Sequence, residues 1–495
     1  MKKDYSKYKW ELIIFFSILM FIVSYGLIFN QTIANDDGIT RIANGRVYNG
    51  NGRFLGVFLT NTIGYGVYNP IITSIFSYCS MLIITITSIK LFEVRRLRTM
   101  FAITALVYTY PTFEIYYRFG VDMWLYTLGT ALSLLAMYYI LKPDKQTYMG
   151  ILFGAAALAI YQALISVMTI VFTLYYLKKL SKKEVDIKEG LLSLLYLVAA
   201  GLVYLVVFKL LLLITGMTVT NYKGASDLSV MSILSGLPAN LSIVYRQYIN
   251  LLLSRLNYYD WAQIPVIWAI FIVTPMLYFY KFVTSNRISN KNKALIVVLI
   301  LTIPISLFSH VIITSDGSDR TYLAMIFYFI MSAIIFLEHK GKYENIALII
   351  VGLAIFFNLN TILAMETIDL KHMENNRLVT ETVITDLQRY DGYDATSKLS
   401  VCGHLGYNSN LNYANGYPYV FENRNYLNIQ GPSYLVFAKY DDSLEYTKNM
   451  TSSMYGLYGL GNEFVNNECD QDAPEYPKEG YIYEKNGIIN INYSK

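Results

Sequence analysis

The stretch KPDKQTYMGILFGAAALAIYQALISVMTIVFTLYYLKKLSKK, residues 142–183, decides how this chain is threaded. From Tyr148 to Tyr176 it is a continuous apolar run. Lys142 and Lys145 precede it, and Lys178, Lys179, Lys182 and Lys183 follow it. A membrane helix needs roughly 20 apolar residues, and basic loops stay on the cytoplasmic side. Both flanks therefore read as inside. The run crosses twice, and the polar pair Tyr161-Gln162 is its outer hairpin tip. The alternative is one long tilted helix, which would invert everything downstream.

The same ruler finds further spans on either side. They fall near 11–29, 70–92, 99–111, 123–141, 148–160, 163–177, 191–214, 262–280, 294–313, 321–337 and 345–365, eleven in all. The third, fifth and sixth are short, so they are either tilted into thinned bilayer or incompletely spanning. With the hairpin in place, the inner segments carry 20 Lys and Arg. The outer loops of residues 1–365 carry eight: Arg41, Arg46, Arg53, Arg118, Lys223, Arg246, Arg255 and Arg320. That bias sets the N-terminus inside and the C-terminus outside. The first span lacks a small-residue cleavage site and reads as a retained anchor. The expected fold class is an all-α polytopic membrane protein, residues 1–365, followed by an extracytoplasmic α+β domain, residues 366–495.

Composition agrees. The 495 residues are 55% hydrophobic and 15% charged, against about 25% charged in a soluble domain, and mean hydropathy is +0.38. These values exclude a soluble globular enzyme, a disordered protein and a nucleic-acid binder. The net charge of +5 hides a split: +13 over residues 1–365 and −8 over residues 366–495. The outer segment starts with a helical pattern from Glu366 to Tyr390. It then turns Tyr-, Asn- and Gly-rich, with short β-like runs at Tyr434 to Phe437 and Ile488 to Ile491. Cys79 lies inside a span, where a thiol is mere packing. Cys402 and Cys469 lie in the outer domain, where a disulfide and two buried thiols are both open.

Chemistry-bearing residues concentrate on the outer loops. The first outer loop reads Asn35-Asp36-Asp37-Gly38, with Asn51-Gly52-Arg53-Phe54-Leu55 further on. A carboxylate at the membrane surface can accept a proton from a hydroxyl as general base. Two adjacent carboxylates also make a candidate divalent-metal site, though oxygen ligands alone specify little and no cofactor is indicated. A solvated, turn-forming Asn-Asp-Asp-Gly is the plain alternative. The second outer loop holds Glu114, Arg118 and Asp122. Glu114 and Arg118, four apart, either pair on one helix face or present a carboxylate and a phosphate-binding guanidinium. Asp319 and Arg320 open the tenth span, as a surface pair or as a phosphate site. The segments 228–259 and 51–68 are amphipathic, as helices lying in the interface plane are.

Taken in order, these features resemble the GT-C class of polytopic glycosyltransferases. More narrowly, they are similar to the serotype-converting glucosyltransferases of phage and bacterial O-antigen modification. The residues that carry the likeness are Asn35-Asp36-Asp37, Gly52-Arg53-Phe54-Leu55, Tyr110-Pro111 with Arg118, and Ala159-Ile160-Tyr161-Gln162-Ala163. The resemblance covers residues 1–365 and implies a reaction. A polyprenyl-phosphate sugar, glucose by analogy, is presented at the outer leaflet of the bacterial cytoplasmic membrane. The acceptor is a hydroxyl on a surface polysaccharide, and the sugar transfers with inversion. Asp36 or Asp37 is the base; the adjacent pair departs from the family pattern and leaves that choice open. Glu114 positions the sugar or is the alternative base. Arg118, Arg320 and Arg53 neutralise the departing phosphate. Tyr161, Gln162, Asp122 and Asp319 line the cavity. A polyprenyl-phosphate glucosyltransferase and a flippase are the expected working partners. Rival readings are a flippase or transporter of lipid-linked sugars, a polysaccharide polymerase or ligase, and a non-catalytic envelope protein.

Overall fold

In a computed structural model of the chain, Lys142 and Lys182 both reach the carboxylate of Glu93, at 3.6 Å each. These lysines flank the apolar run of residues 148–176. An unbroken 29-residue helix would hold its ends about 43 Å apart at 1.5 Å per residue. The run therefore folds back on itself, and the single-helix alternative is excluded. The structure describes residues 8–25, 52–63, 70–113, 123–142, 146–182, 187–219, 230–252, 265–286, 288–314, 323–338, 344–403 and 462–494, the last without 464, 466, 468, 469 and 471.

In chain order the helices are α1 (Lys9–Tyr25), α2 (Phe54–Ile63), α3 (Pro70–Leu91), α4 (Leu97–Tyr108), α5 (Met123–Leu141), α6 (Thr147–Ile160), α7 (Ile165–Lys182), α8 (Ile187–Thr215), α9 (Val230–Leu252), α10 (Pro265–Val283), α11 (Asn290–Leu301), α12 (Ile303–Leu307), α13 (Ser309–Thr314), α14 (Met325–Glu338) and α15 (Glu344–Gln388). Against the eleven expected spans, five helices among the described residues are long and apolar enough to cross a membrane: 71–91, 124–141, 162–182, 187–215 and 344–363. Shorter apolar helices lie at 54–63, 147–160, 269–283 and 325–338.

Two of these helices are apolar on every face, yet they sit differently. The α14 sequence MIFYFIMSAIIFLE is buried almost throughout and packs on α4, α7, α10 and α15. The α8 helix packs chiefly on α6 and leaves Leu195, Leu202, Val206 and Leu213 between 57% and 80% exposed. On a helix of this length and hydropathy, an apolar surface of that extent suits a lipid environment. Gly150 and Gly154 bring α6 close to its neighbours. A Cβ on Gly150 would meet the Ala136 carbonyl at 2.9 Å, and one on Gly154 would meet Ala200 at 2.9 Å. Small residues four apart let membrane helices approach backbone to backbone. Cys79, expected as a packing residue, is a free thiol on the exposed face of α3, four residues from exposed Ile75.

Ion pairs gather at one end of the bundle. Besides the Glu93 contacts, Arg96 and Arg98 pair with Glu344, and Lys179 meets Glu189 at 2.6 Å. Lys178 donates to the Phe92 carbonyl. Burial raises the Glu93 carboxyl, but Lys142, Lys182 and Lys178 outweigh it and hold it below the usual glutamate range. Lys90 lies 5.8 Å from the Trp10 ring, so the start of α1 is at this end too.

The expected span at 294–313 is broken twice, into α11, α12 and α13. Pro304 lacks an N–H and favours a first helical turn. Backbone groups freed at a break must be satisfied within the protein, and α7 supplies the partners. Thr169 donates to the Ser306 carbonyl at 2.7 Å, and the His310 N–H donates to Ser166 Oγ at 3.1 Å. Ser166 Oγ is also 2.7 Å from His310 Nδ1, and Thr173 Oγ1 is 2.7 Å from Ser306 Oγ.

Beyond the bundle, α15 runs unbroken for 45 residues, so the boundary at 365/366 falls within a helix. Strands β1 (Leu399–Gly403), β2 (Ile482–Lys485) and β3 (Ile488–Ser494) form one sheet in the order β1-β3-β2. The β1 and β3 strands are parallel, and β2 and β3 antiparallel. Tyr481 ties the sheet to the helix by donating to Asp386 at 2.7 Å. Cys402, buried in β1, is disulfide-bonded. Cys469 and the run Tyr434 to Phe437 lie outside the described residues.

Candidate functional site

The fold-back point is Tyr161, whose backbone is extended (φ −157°, ψ 118°) between α6 and a short 3-10 turn, Gln162–Leu164. It lies a full helix length from the ion-paired end. Its phenol ring is buried, and the Tyr126 ring of α5 packs on it edge to face at 5.1 Å. Across the face of Tyr161 lies the guanidinium of Arg53, 4.8 Å from the ring centre. A cation over an aromatic face is attracted by the ring quadrupole.

Arg53 is placed by the turn that opens α2. Its carbonyl accepts from the Val57 N–H at 3.2 Å, and Gly52 before it is left-handed (φ +78°). The turn is held from α8. Tyr204 donates its hydroxyl proton to the Gly52 carbonyl at 3.3 Å and accepts from Gln162 Nε2 at 3.0 Å. The Tyr204 ring stacks nearly parallel between Phe54 and Phe208, with centroids 6.1 Å apart on each side. Segments more than a hundred residues apart thus meet at one point.

Of the residues singled out from the sequence, the structure brings together Arg53, Tyr161 and Gln162. Asp36, Asp37, Glu114, Arg118, Asp122, Asp319 and Arg320 lie outside the described residues. Among the described residues no three His, Cys, Asp or Glu side chains cluster as metal ligands, and the Asp36-Asp37 pair is not among them. Sequence reasoning missed Tyr204, Phe208 and Tyr126. A tyrosine within an aliphatic run is the signal that could have found Tyr204, because a buried phenol hydroxyl needs a partner. Chemically, the site offers a fixed cation, an aromatic wall and an amide at the bundle end opposite the ion pairs.

The family model for glucosyl transferase GtrII matches residues 25–337, more than half of the chain. The match takes in every element of this site and stops short of α15 and the sheet. No curated protein and no solved structure matches the chain.

Proposed function

The chain belongs to the glucosyl transferase GtrII family, and on that premise we propose that it moves glucose from a polyprenyl-phosphate donor to a surface polysaccharide at the outer face of the cytoplasmic membrane. Family membership makes it a glycosyltransferase of O-antigen modification. Its long apolar helices, with exposed apolar faces, support a membrane protein.

In the proposed reaction an acceptor hydroxyl oxygen attacks the anomeric carbon. Asp36 or Asp37 takes the hydroxyl proton. The bond from that carbon to the phosphate oxygen breaks, and its electron pair leaves on the lipid phosphate. A single displacement inverts the anomeric centre. Arg53, Arg118 and Arg320 stabilise the phosphate charge as it develops. Glu114 positions the sugar or acts as the alternative base, and Tyr161, Gln162, Asp122 and Asp319 line the cavity. The donor is supplied by a polyprenyl-phosphate glucosyltransferase and a flippase.

The orientation that goes with this places the N-terminus inside, eleven crossings in the membrane, and residues 366–495 outside, with Cys402 bridged to Cys469. It is supported by the 20-to-8 distribution of Lys and Arg and by the gathering of Lys142, Lys182, Arg96 and Arg98 at one end. The observation that carries the functional reading is Arg53 on Tyr161 at the other end.

One observation favours the flippase reading. The helix broken into α11, α12 and α13 is a device of transporters, and it carries the buried His310. The two readings separate in one experiment. The protein is expressed with a polyprenyl-phosphate-glucose synthase, and the surface polysaccharide is weighed by mass spectrometry. A gain of one hexose per repeat is the expected result. An unchanged polysaccharide, with donor crossing the membrane faster, would establish the flippase.

A further inference from the structure

We infer that Tyr204 is a positioning residue for Arg53, a role that rests on Arg53 binding the donor phosphate as proposed above. Tyr204 sits on α8, the least buried of the five candidate spans among the described residues, yet it is only 8% exposed, between Leu202 at 58% and Val206 at 57%. Its hydroxyl lies at a crossing of three segments. It receives a proton from the Gln162 amide and gives its own to the Gly52 carbonyl. A phenol that donates and accepts at once has its proton direction set by both partners.

The turn is shaped to this hydroxyl. A Cβ on Gly52 would stand 2.4 Å from Tyr204 Oη and 2.5 Å from Gln162 Nε2, and the +78° φ is strained for an L-residue. Glycine at 52 therefore lets the chain approach the pair and turn left-handed. The next residue is Arg53, whose side chain leaves that turn for the face of Tyr161. Phe54 follows, and its ring stacks on Tyr204. Tyr204 thus grips the residues on both sides of Arg53, the first by its hydroxyl and the second by its ring. Gln162, one residue beyond Tyr161, closes the loop. The backbone of Arg53 is thereby fixed relative to the ring that carries its guanidinium.

Tyr204→Phe keeps the ring stack and removes only the hydroxyl. Purified full-length protein in nanodiscs is titrated with polyprenyl phosphate lacking sugar, and donor KM and kcat are measured in parallel. Loss of a hydrogen bond that orients a binding group predicts about tenfold weaker polyprenyl-phosphate binding and a matching rise in donor KM. The change in kcat should be smaller. Gly52→Ala should give the same pattern by displacing the hydroxyl, with both variants compared at equal folded amounts. In an Arg53→Ala background, Tyr204→Phe should cost nothing further, since coupled residues are not additive. An equal loss in both backgrounds, or unchanged binding by Tyr204→Phe, would overturn the positioning role while leaving the donor-phosphate reading intact. Unchanged polyprenyl-phosphate binding by Arg53→Ala would sink that reading, and the role of Tyr204 with it.

Discussion

The two ends of the helix bundle hold their cations in different ways. At one end Lys142 and Lys182 share Glu93, Arg96 and Arg98 share Glu344, and Lys179 meets Glu189. At the other, Arg53 rests on the ring of Tyr161, and neutral groups of Tyr204, Gln162 and Gly52 fix its turn. A carboxylate neutralises the cation that it holds and consumes its donors. A ring adds a contact to the flat face of a guanidinium through its quadrupole and brings no opposite charge of its own. The first arrangement suits joints between loops. On the proposed function, the second is where a cation meets the donor phosphate.

The sharpest way to break this contrast is at the carboxylates assigned to the chemical end. Asp36→Asn and Asp37→Asn should be made singly. Removing the base should cut the transfer rate by about 10²–10⁴-fold in one of them, the usual worth of general-base catalysis. Full activity in both, at normal membrane levels, would take the base assignment away from this loop. Next in size, Arg53→Ala should lower kcat/KM for the donor by about 100-fold, the scale of losing one electrostatic stabiliser. The amount of protein in the membrane should not change, and Arg53→Lys should recover part of the loss.

At the paired end the expected effects fall on stability. Glu93→Gln should reduce unfolding stability by about 1 kcal/mol, as exposed networks do, read as a small drop in melting temperature. Transfer per folded molecule should be unaltered; a specific loss of activity would put chemistry at this end as well. The smallest effect is its pH dependence. Lys142, Lys182 and Lys178 hold Glu93 below its ordinary value against the effect of burial. Its contribution is therefore complete above the pKa of an unfolded glutamate and is lost as pH falls through the folded value. The melting difference between wild type and Glu93→Gln should be constant near neutrality and shrink on acidification. A difference that persists at low pH would show that packing, not charge, is what Glu93 supplies.

How much of this was legible in the sequence depends on the range of the interactions involved. The fold-back at Tyr161 was readable because lysines mark both flanks of an otherwise featureless run, and charge is the one signal that lipid cannot blur. Gly52-Arg53 stood out as a turn residue and a cation in the first outer loop, and its role came from the family resemblance. Tyr204 did not, since it sits in the run LVYLVVFKLLLL, where all but Lys209 argue only for a span. Its meaning comes from Gly52 and Gln162, 152 and 42 residues away. The breaks around α12 were not foreseen, since 294–313 was read as one span; the hydroxyls that make them tolerable, Ser166 and Thr169, lie on α7. The helical pattern after Glu366 was read correctly, yet its continuity with the preceding span was not. Apolarity drops there while helix propensity does not, and a change of solvent looks like a change of domain.

That continuity has a mechanical consequence. A 45-residue helix is about 68 Å long at 1.5 Å per residue, and a bilayer core takes up about 30 Å of it. In the proposed orientation α15 is a mast that carries the sheet some tens of ångströms clear of the headgroups. At that height the sheet cannot roof the sugar-transfer site unless the chain between β1 and β2 reaches back down. On the proposed function, that is the side on which the acceptor glycan would extend. Shortening the mast by seven residues, two whole turns, would lower the sheet by roughly 10 Å while nearly preserving its facing. If the sheet contacts the acceptor, the position of the added hexose along the glycan would then shift; an unchanged position would show that it does not.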